Sequence, residues 1–513
     1  MATVSSQSQS KLLDADEHGA ERGFVSDSIA AGVVFALAVT VGQRIVGFGR
    51  GILFCRMMSD QELGQWSMVW SYLMLLAPLA VLGLPGCFGK FTEHYRQRGQ
   101  LQTFIGRISI LSIVLTLLMS GLILAFPVRV SWILFRDPSQ VGLVRLLAVA
   151  LVVVTASNFM ACLMESLRQV RTVTIMRFVA GLMFAVAGVG MLMVWENGSS
   201  AATFAFGLSC LVGMVPGVWV LWKCRSGIRN DGATLTQTTM WKRIAPFAIW
   251  LWASNLLNNL FEVSDRYMLI HWSNLESGLA QGAVGQYHSG RVVPLLMVSV
   301  AAMLAGVLMP YLSQAWEAGE REKATKQLKW TVKLVSIAFT AGGVLVLLFS
   351  PILFDSILQG RYDDGLAILP LTLVYCIWFG LMSVSQDYLW VAEQGKWATL
   401  ANGLGLIVNV VLNMILIPTI GLQGAVIATA IGNATLVILM TALNQRFGCK
   451  ADIGIWMCLA LPMLLLLSKP VAVLLMLIAG VICIGTNLIL SADEKSELIR
   501  VAEDKFGKFL PGK

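Results

Sequence analysis

Charged and amide side chains interrupt otherwise apolar stretches of this 513-residue chain, at spacings that put several of them on single helical faces. Asn255, Asn258, Glu262 and Arg266 recur at intervals of three and four, so a helix over 244–270 carries them as one polar stripe, with Asn259 and Asp265 beside it. Glu262 and Arg266, four apart, are spaced to neutralise one another. His288 and Arg291 share a face three residues apart, ahead of Pro294. Gln43 and Arg50 share a face of an earlier stretch, and Arg44 lies about 120° around the helix from Arg50. A guanidinium stays charged and offers forked donors, so Arg44, Arg50, Arg266 and Arg291 suit a pyrophosphate or another anion. Asp387 and Glu165 lie nearer the ends of their stretches and read as loop-facing charges.

These residues need elements to hold them, and the composition says which. The chain is 57% hydrophobic and 13% charged, against roughly 25% charged in a soluble domain. Its apolar runs are nearly continuous, as in Leu111 to Phe126 and Val471 to Leu490. A transmembrane barrel would alternate apolar and polar over about ten residues. About 20 helical residues cross a ~30 Å hydrocarbon core. The expected fold is therefore an all-α integral membrane protein of about 14 spans: near 30–55, 66–89, 105–127, 142–164, 172–194, 201–222, 244–270, 284–311, 332–353, 366–390, 397–418, 421–444, 453–468 and 470–490. In that setting a mid-bilayer charge costs at least ~2.5–3.5 kcal/mol and should face a cavity or a partner. Two other readings stay open: Arg50 snorkelling to the surface, and the Asn255–Arg266 stripe clamping one helix to another.

Basic residues orient the spans. With a cytoplasmic N-terminus, Lys and Arg favour the inside loops by better than three to one, so both termini are expected in the cytoplasm. Residues 1–27 are polar, lack the apolar core of a signal peptide, and read as a disordered cytoplasmic tail. Residues 491–513 read as a cytoplasmic amphipathic tail whose helix Ser491 caps. The chain also echoes itself. Leu63-Gly64-Gln65-Trp66 returns as Val284-Gly285-Gln286-Tyr287 after 221 residues, and Arg168–Arg171 is echoed by Glu393–Lys396 after 225. Six spans fill each interval, so the expected organisation is an N-terminal six-helix lobe over 28–225, a parallel C-terminal lobe over 240–445, and two additional helices within 453–490.

Several functions are excluded or disfavoured. The net charge of +8 is distributed by loop, which argues for topology and against nucleic acid as a partner. The nine cysteines form no CxxC pair or Cys/His cluster, so neither a metal centre nor a redox site is expected. No GxxxxGK[ST] loop marks ATP use, and no cofactor is expected. The outside loops near 128–141 and 271–283 are too short for the catalytic loop of a membrane polymerase or ligase, so no enzyme is expected. A drug or metabolite antiporter of cationic substrates wants an acidic cavity, whereas four arginines are the candidates here.

Longer motifs carry a resemblance. Arg56–Asp60 before Leu63–Trp66, Val263-Ser264-Asp265-Arg266-Tyr267-Met268-Leu269, Pro310–Ser313, and Asn409-Val410-Val411-Leu412-Asn413 with Ile417-Pro418 and Gly421–Ala425 resemble the polysaccharide-transporter flippases. These belong to the multidrug/oligosaccharidyl-lipid/polysaccharide exporter superfamily, and the likeness covers about residues 28–445. Arg44–Arg50 is also similar to the first helix of the lipid II flippases, and Arg291 falls where these place a cavity arginine. A third cavity arginine is missing from the second span. The resemblance implies a two-lobe transporter in a bacterial inner membrane. It would move a polyprenyl-diphosphate-linked oligosaccharide outward by alternating access, with a lipid II flippase or a cation-coupled antiporter as the alternatives. Substrate binding is then expected of Arg44, Arg50, Arg266, Arg291, Asn258 and His288, and ion coupling of Asp265 and Glu262. The expected partners are the glycolipid substrate, membrane lipid and a polysaccharide polymerase or ligase, and the chain is expected to act as a monomer.

Overall fold

A computed structural model describes residues 29–223, 235–492 and 494–496; for 29–38, 250, 251, 254, 258 and 484 it describes the backbone only. The expected tail 1–27 and most of the tail 491–513 lie outside the described residues.

In hydrocarbon every backbone polar group must be satisfied within its own segment, which leaves the helix as the form for these apolar runs. Among the described residues all regular elements are helical. In chain order they are α1 (Ile29–Met57), α2 (Asp60–Ala80), α3 (Cys87–Gln97), α4 (Leu101–Ala125), α5 (Pro127–Phe135), α6 (Val141–Ser166), α7 (Val170–Val194) and α8 (Gly198–Lys223). There follow α9 (Gln237–Trp272), α10 (Ser277–Arg291), α11 (Pro294–Glu317), α12 (Arg321–Pro351), α13 (Asp363–Val391), α14 (Gly395–Arg446), α15 (Ile453–Ala460) and α16 (Lys469–Gly485). Eight described helices are long and apolar enough to cross a membrane, nine if α2 and the bent segment Leu84–Gln97 form one span. That measure does not reach the expected fourteen. Helix α14 holds two expected spans, joined at Gly421, whose φ of 58° and ψ of −129° break the helix. The segments Ile453–Leu466 and Lys469–Cys483 are apolar but shorter.

Two expectations are corrected. The single helix over 284–311 is two, because Pro294 has no N–H to donate and its ring crowds the preceding turn; α10 ends at Arg291 and α11 starts at Pro294. The span expected over 66–89 bends by 67° beyond Ala80, where Leu82 and Gly83 both take positive φ.

The chain forms two compact units. One comprises residues up to Met58 with Gln65–Val263, the other Ser59–Gly64 with the chain from Ser264. The first unit has an aromatic core: Tyr95 stacks on Phe104 at 4.5 Å, and Phe88 meets Phe104 and Phe159 edge-on. Large apolar side chains such as Leu117, Val186 and Val215 face outward, as suits lipid as the solvent.

In the second unit the start of α2 crosses α10 with backbones touching. A Cβ on Gly64 would fall on the Gln281 carbonyl, and one on Gly285 on the Asp60 carbonyl. The 221-residue offset carries Asp60 onto Gln281 and Gly64 onto Gly285, so the two contacts are copies of each other. Gln61 Nε2 donates to Gln281 Oε1 at 3.2 Å, and Gln286 Nε2 to Asp60 Oδ2 at 3.1 Å. Elsewhere in this unit Lys333, 2% exposed, is ion-paired to Asp452 and Glu494, each at 3.1 Å. Asp452 caps α15 through the Ile455 amide. Ser491 and Glu494 cap each other as expected of Ser491: the Ser491 amide donates to Glu494 Oε2 at 2.7 Å and the Glu494 amide to Ser491 Oγ at 3.3 Å.

Candidate functional site

The most elaborate polar arrangement among the described residues surrounds Asp265, in the last third of α9 and 3% exposed. Four donors converge on its carboxylate. Oδ1 accepts from Asn413 Nδ2 at 2.8 Å and Asn409 Nδ2 at 3.0 Å. Oδ2 accepts from Thr429 Oγ1 at 2.7 Å and Tyr287 Oη at 3.0 Å. A buried charge is tolerable only when hydrogen-bonded in this way. Helical spacing supplies the ligands: Asn409 and Asn413 are one turn apart before the Gly421 break, and Thr429 comes two turns after it. The break folds the two limbs of α14 so that both reach the same carboxylate.

Oxygen dominates this centre. Beyond the carboxylate there are the Asn409 Oδ1, which accepts from Ser264 Oγ at 3.0 Å, the Thr429 hydroxyl, and the Ala425 carbonyl 2.8 Å from that hydroxyl. Asn413 Oδ1 is buried without a hydrogen-bond partner among the described residues. One negative charge among hard, neutral oxygens suits a proton or a monovalent alkali cation. No group of three His, Cys, Asp or Glu able to hold a metal occurs among the described residues.

Tyr287 joins this centre to the arginines. Its hydroxyl donates to Asp265 and receives Tyr375 Oη at 3.3 Å. Its ring lies under Arg291, whose Cζ is 5.0 Å from the centroid, a distance at which the guanidinium is drawn to the ring face. Arg266 follows Asp265 directly on α9. Both arginines are buried, 7% and 4% exposed. His288, one residue on in α10, is half-buried.

The other expected residues belong to the first unit. Arg50 lies over the Phe184 ring at 4.1 Å and near Phe54 at 6.0 Å, so aromatic faces hold its charge. Arg44 is exposed, and Gln43 beside it donates to the Arg177 carbonyl at 3.2 Å. Glu262 is exposed. The Asn258 side chain lies outside the described residues. Glu165 meets Arg177 at the end of α6, as expected of a loop-facing charge. Asp387 departs from that reading: its Oδ2 is buried without a hydrogen-bond partner.

Sequence reading missed the roles of Tyr287, Asn409, Asn413 and Thr429. The first three lie inside motifs that mark the repeat and the resemblance, and their spacing was the available signal. Thr429 carries no local sign, because its partner is 164 residues away.

Comparison with known proteins gives the family and the fold. The family described as polysaccharide biosynthesis protein matches residues 29–316. The lipid II flippase MurJ of Bacillus subtilis (strain 168) is 20% identical over 443 residues, 80% of this chain and 81% of that protein. A solved lipid II flippase MurJ in an inward closed conformation superposes with a TM-score of 0.66 at 12% identity, over 88% of this chain and 98% of that one. An inward-facing multidrug-resistance MATE transporter of the MOP superfamily gives 0.64 at 15% identity, over 79% and 94%. The fold is that of MOP-superfamily transporters and flippases. With more than half of its length matched, the chain belongs to the polysaccharide biosynthesis protein family.

Proposed function

We propose that this protein flips a polyprenyl-diphosphate-linked oligosaccharide, the repeat unit of a surface polysaccharide, from the inner to the outer leaflet by alternating access. The observation that carries the reading is Tyr287, shared between a buried carboxylate and a buried arginine. Arg291, with Arg266 and His288 of the second unit, binds the diphosphate, since guanidinium forks match phosphate oxygens, and Arg50, Arg44 and Asn258 are substrate-binding residues of the first unit. Asp265 takes up the coupling cation, a proton or sodium. Glu262 is exposed, whereas Asp265 is buried within its ring of four donors, so Asp265 is the better supported of the two acids.

Coupling follows from charge. A cation on Asp265 neutralises the carboxylate and frees the Tyr287 hydroxyl. The negative field that the carboxylate sets up around Arg291 falls, and Arg291 holds an anion more tightly. Such linkage is reciprocal and typically amounts to about 1–3 kcal/mol, or roughly 5–150-fold in affinity. The protein acts as a monomer in the bacterial inner membrane with both termini cytoplasmic. It receives its substrate from inside and delivers it to a polysaccharide polymerase or ligase outside.

Native mass spectrometry of the protein in mild detergent tests the substrate class. The wild type should carry a polyprenyl-diphosphate saccharide that Arg291→Ala loses. Phospholipid alone on both proteins, with saturating sodium present, would count against the reading. The 20% identity to a lipid II flippase favours one second reading, a peptidoglycan precursor as cargo, and the mass of the bound saccharide distinguishes the two.

A further inference from the structure

The repeat relates the Asp265 centre to a second constellation, inside the first unit. Arg50 lies seven residues before the end of α1, as Asp265 does before the end of α9. Phe184 lies fourteen residues past the start of α7, as Asn409 does past the start of α14. Trp66 and Tyr287 close the two glycine motifs. The contacts are copied with the positions. The Arg50 guanidinium lies 4.1 Å from the Phe184 centroid, and Trp66 lies 5.5 Å from the same ring, where in the second unit Asp265 accepts from Asn409 and Tyr287.

The chemistry is inverted. The second unit surrounds an acid with neutral donors, and the first sets a base against rings. Gly188 stands at the position of Asn413, and Phe54 fills the space, since a Cβ on Gly188 would fall on the Phe54 ring. Phe54, Trp66, Phe184 and Phe206 are all buried. Phe184 touches the other three, with centroids 5.6 Å from Phe54, 5.5 Å from Trp66 and 5.2 Å from Phe206.

The offset that carries Tyr287 onto Trp66 also carries Arg291 onto Trp70. Arg291 follows Tyr287 by one turn and lies 5.0 Å from its ring; Trp70 follows Trp66 by one turn, with centroids 5.9 Å apart. Trp70 is where this cluster reaches the surface: it is half-buried, while the rings behind it are buried. Phe206 backs it at 4.8 Å. An apolar side chain of any shape would serve to face lipid. A broad face held in place by rings beneath it suits a ligand with a flat face of its own. The negative π face of an indole draws the partly positive C–H bonds that a pyranose ring presents, and it repels a phosphate. Packing behind the indole fixes it beforehand, so little side-chain freedom is lost on binding.

We infer that Trp70 is the platform on which a sugar ring of the cargo stacks. This rests on the reading of the protein as a flippase for a saccharide-bearing lipid diphosphate, and it names what holds the saccharide. The second unit meets the cargo with Arg291, a charge for the diphosphate. The first unit meets it at the corresponding position with an aromatic face, for the sugar. Phe184 and Phe206 stand between Trp70 and Arg50, so the first unit carries an aromatic and a cationic contact on one row of rings.

Two probes separate the sugar from the diphosphate: a polyprenyl diphosphate carrying a pyranose disaccharide, and the same lipid without sugar. Each is titrated into the full-length protein in nanodiscs. Wild type should bind the disaccharide lipid more tightly than the bare one. Trp70→Leu should weaken binding of the disaccharide lipid roughly tenfold and leave the bare lipid unchanged, and Trp70→Tyr, which keeps a π face, should recover most of the loss. Arg50→Gln should weaken both lipids alike. Where leucine lowers the Tm, Trp70→Met takes its place, because an unbranched side chain fills an irregular gap more easily. A leucine or methionine variant that keeps the wild-type preference for the disaccharide lipid, or that weakens both lipids equally, would overturn the platform. The reading of the cargo fails separately, if wild type itself binds neither lipid or does not distinguish them.

Discussion

Arg291 and Asp265 meet at opposite ends of one tyrosine, and substitutions there separate binding from coupling. Arg291→Glu should abolish translocation in inverted vesicles while leaving expression and Tm close to wild type, and Arg291→Lys should keep part of it; full activity in Arg291→Glu would remove the residue from the site. Asp265→Asn keeps a hydrogen-bonding side chain but loses the charge. Its residual transport should no longer respond to a sodium or proton gradient, and a retained gradient response would make Asp265 structural. Tyr287→Phe removes the shared hydroxyl alone. It should preserve substrate capture but cut the sodium-dependent gain in affinity by roughly 5-fold or more, measured by titrating glycolipid with and without sodium. Much of this was legible in the residues. A carboxylate and arginines inside apolar runs are costly enough to imply a site, and so Asp265, Arg266 and Arg291 could be named. The ring of neutral donors was not legible, because asparagine, threonine and tyrosine are common in helices and acquire meaning only when a distant limb brings them to one carboxylate.

Among elements, the crossing of α2 and α10 is the most demanding, since Gly64 and Gly285 leave no room for a Cβ. Gly285→Ala should cost about 1–3 kcal/mol by overpacking, seen as a lower Tm in detergent, and Gly64→Ala should behave alike because the two contacts are copies. Unequal effects would argue against that symmetry. The repeat was readable from the two glycine motifs, but the contact it creates was not, since a spacing of 221 residues says nothing about which copies touch. The Lys333 cluster makes the opposite case. Lys333→Met leaves Glu494, 6% exposed on its side chain, without its cation, which should cost about 3–5 kcal/mol. Lys333→Met/Glu494→Gln should recover part of that loss. The expected span 332–353 puts Lys333 at a helix end, because hydropathy shows how deep a lysine lies in its helix but not whether carboxylates await it. The long helices followed from apolar runs, but the polar α3 and the short α5 (Pro127–Phe135), in the stretch expected as an outside loop near 128–141, did not, and the breaks did so only partly. Pro294 was visible ahead of time without its consequence, and the positive φ at Leu82 has no sequence sign.

For the whole molecule, the loop charges define an orientation that a single reporter can check. Asn230→Cys, in a basic connection between the sixth and seventh expected spans, should label only when reagent reaches the cytoplasmic face; labelling from outside would invert the topology. The fold is one that transporters and flippases share, the family is that of polysaccharide biosynthesis proteins, and the cargo and what drives it are left to chemistry. The direct measurement is translocation of a polyprenyl-diphosphate oligosaccharide by the purified protein in sealed vesicles, with a sodium or proton gradient imposed in either direction. The account predicts transport that depends on the gradient, is lost in Arg291→Glu, and becomes gradient-independent in Asp265→Asn. Transport of equal rate in wild type and Arg291→Glu, or wild-type transport indifferent to both gradients, would contradict it.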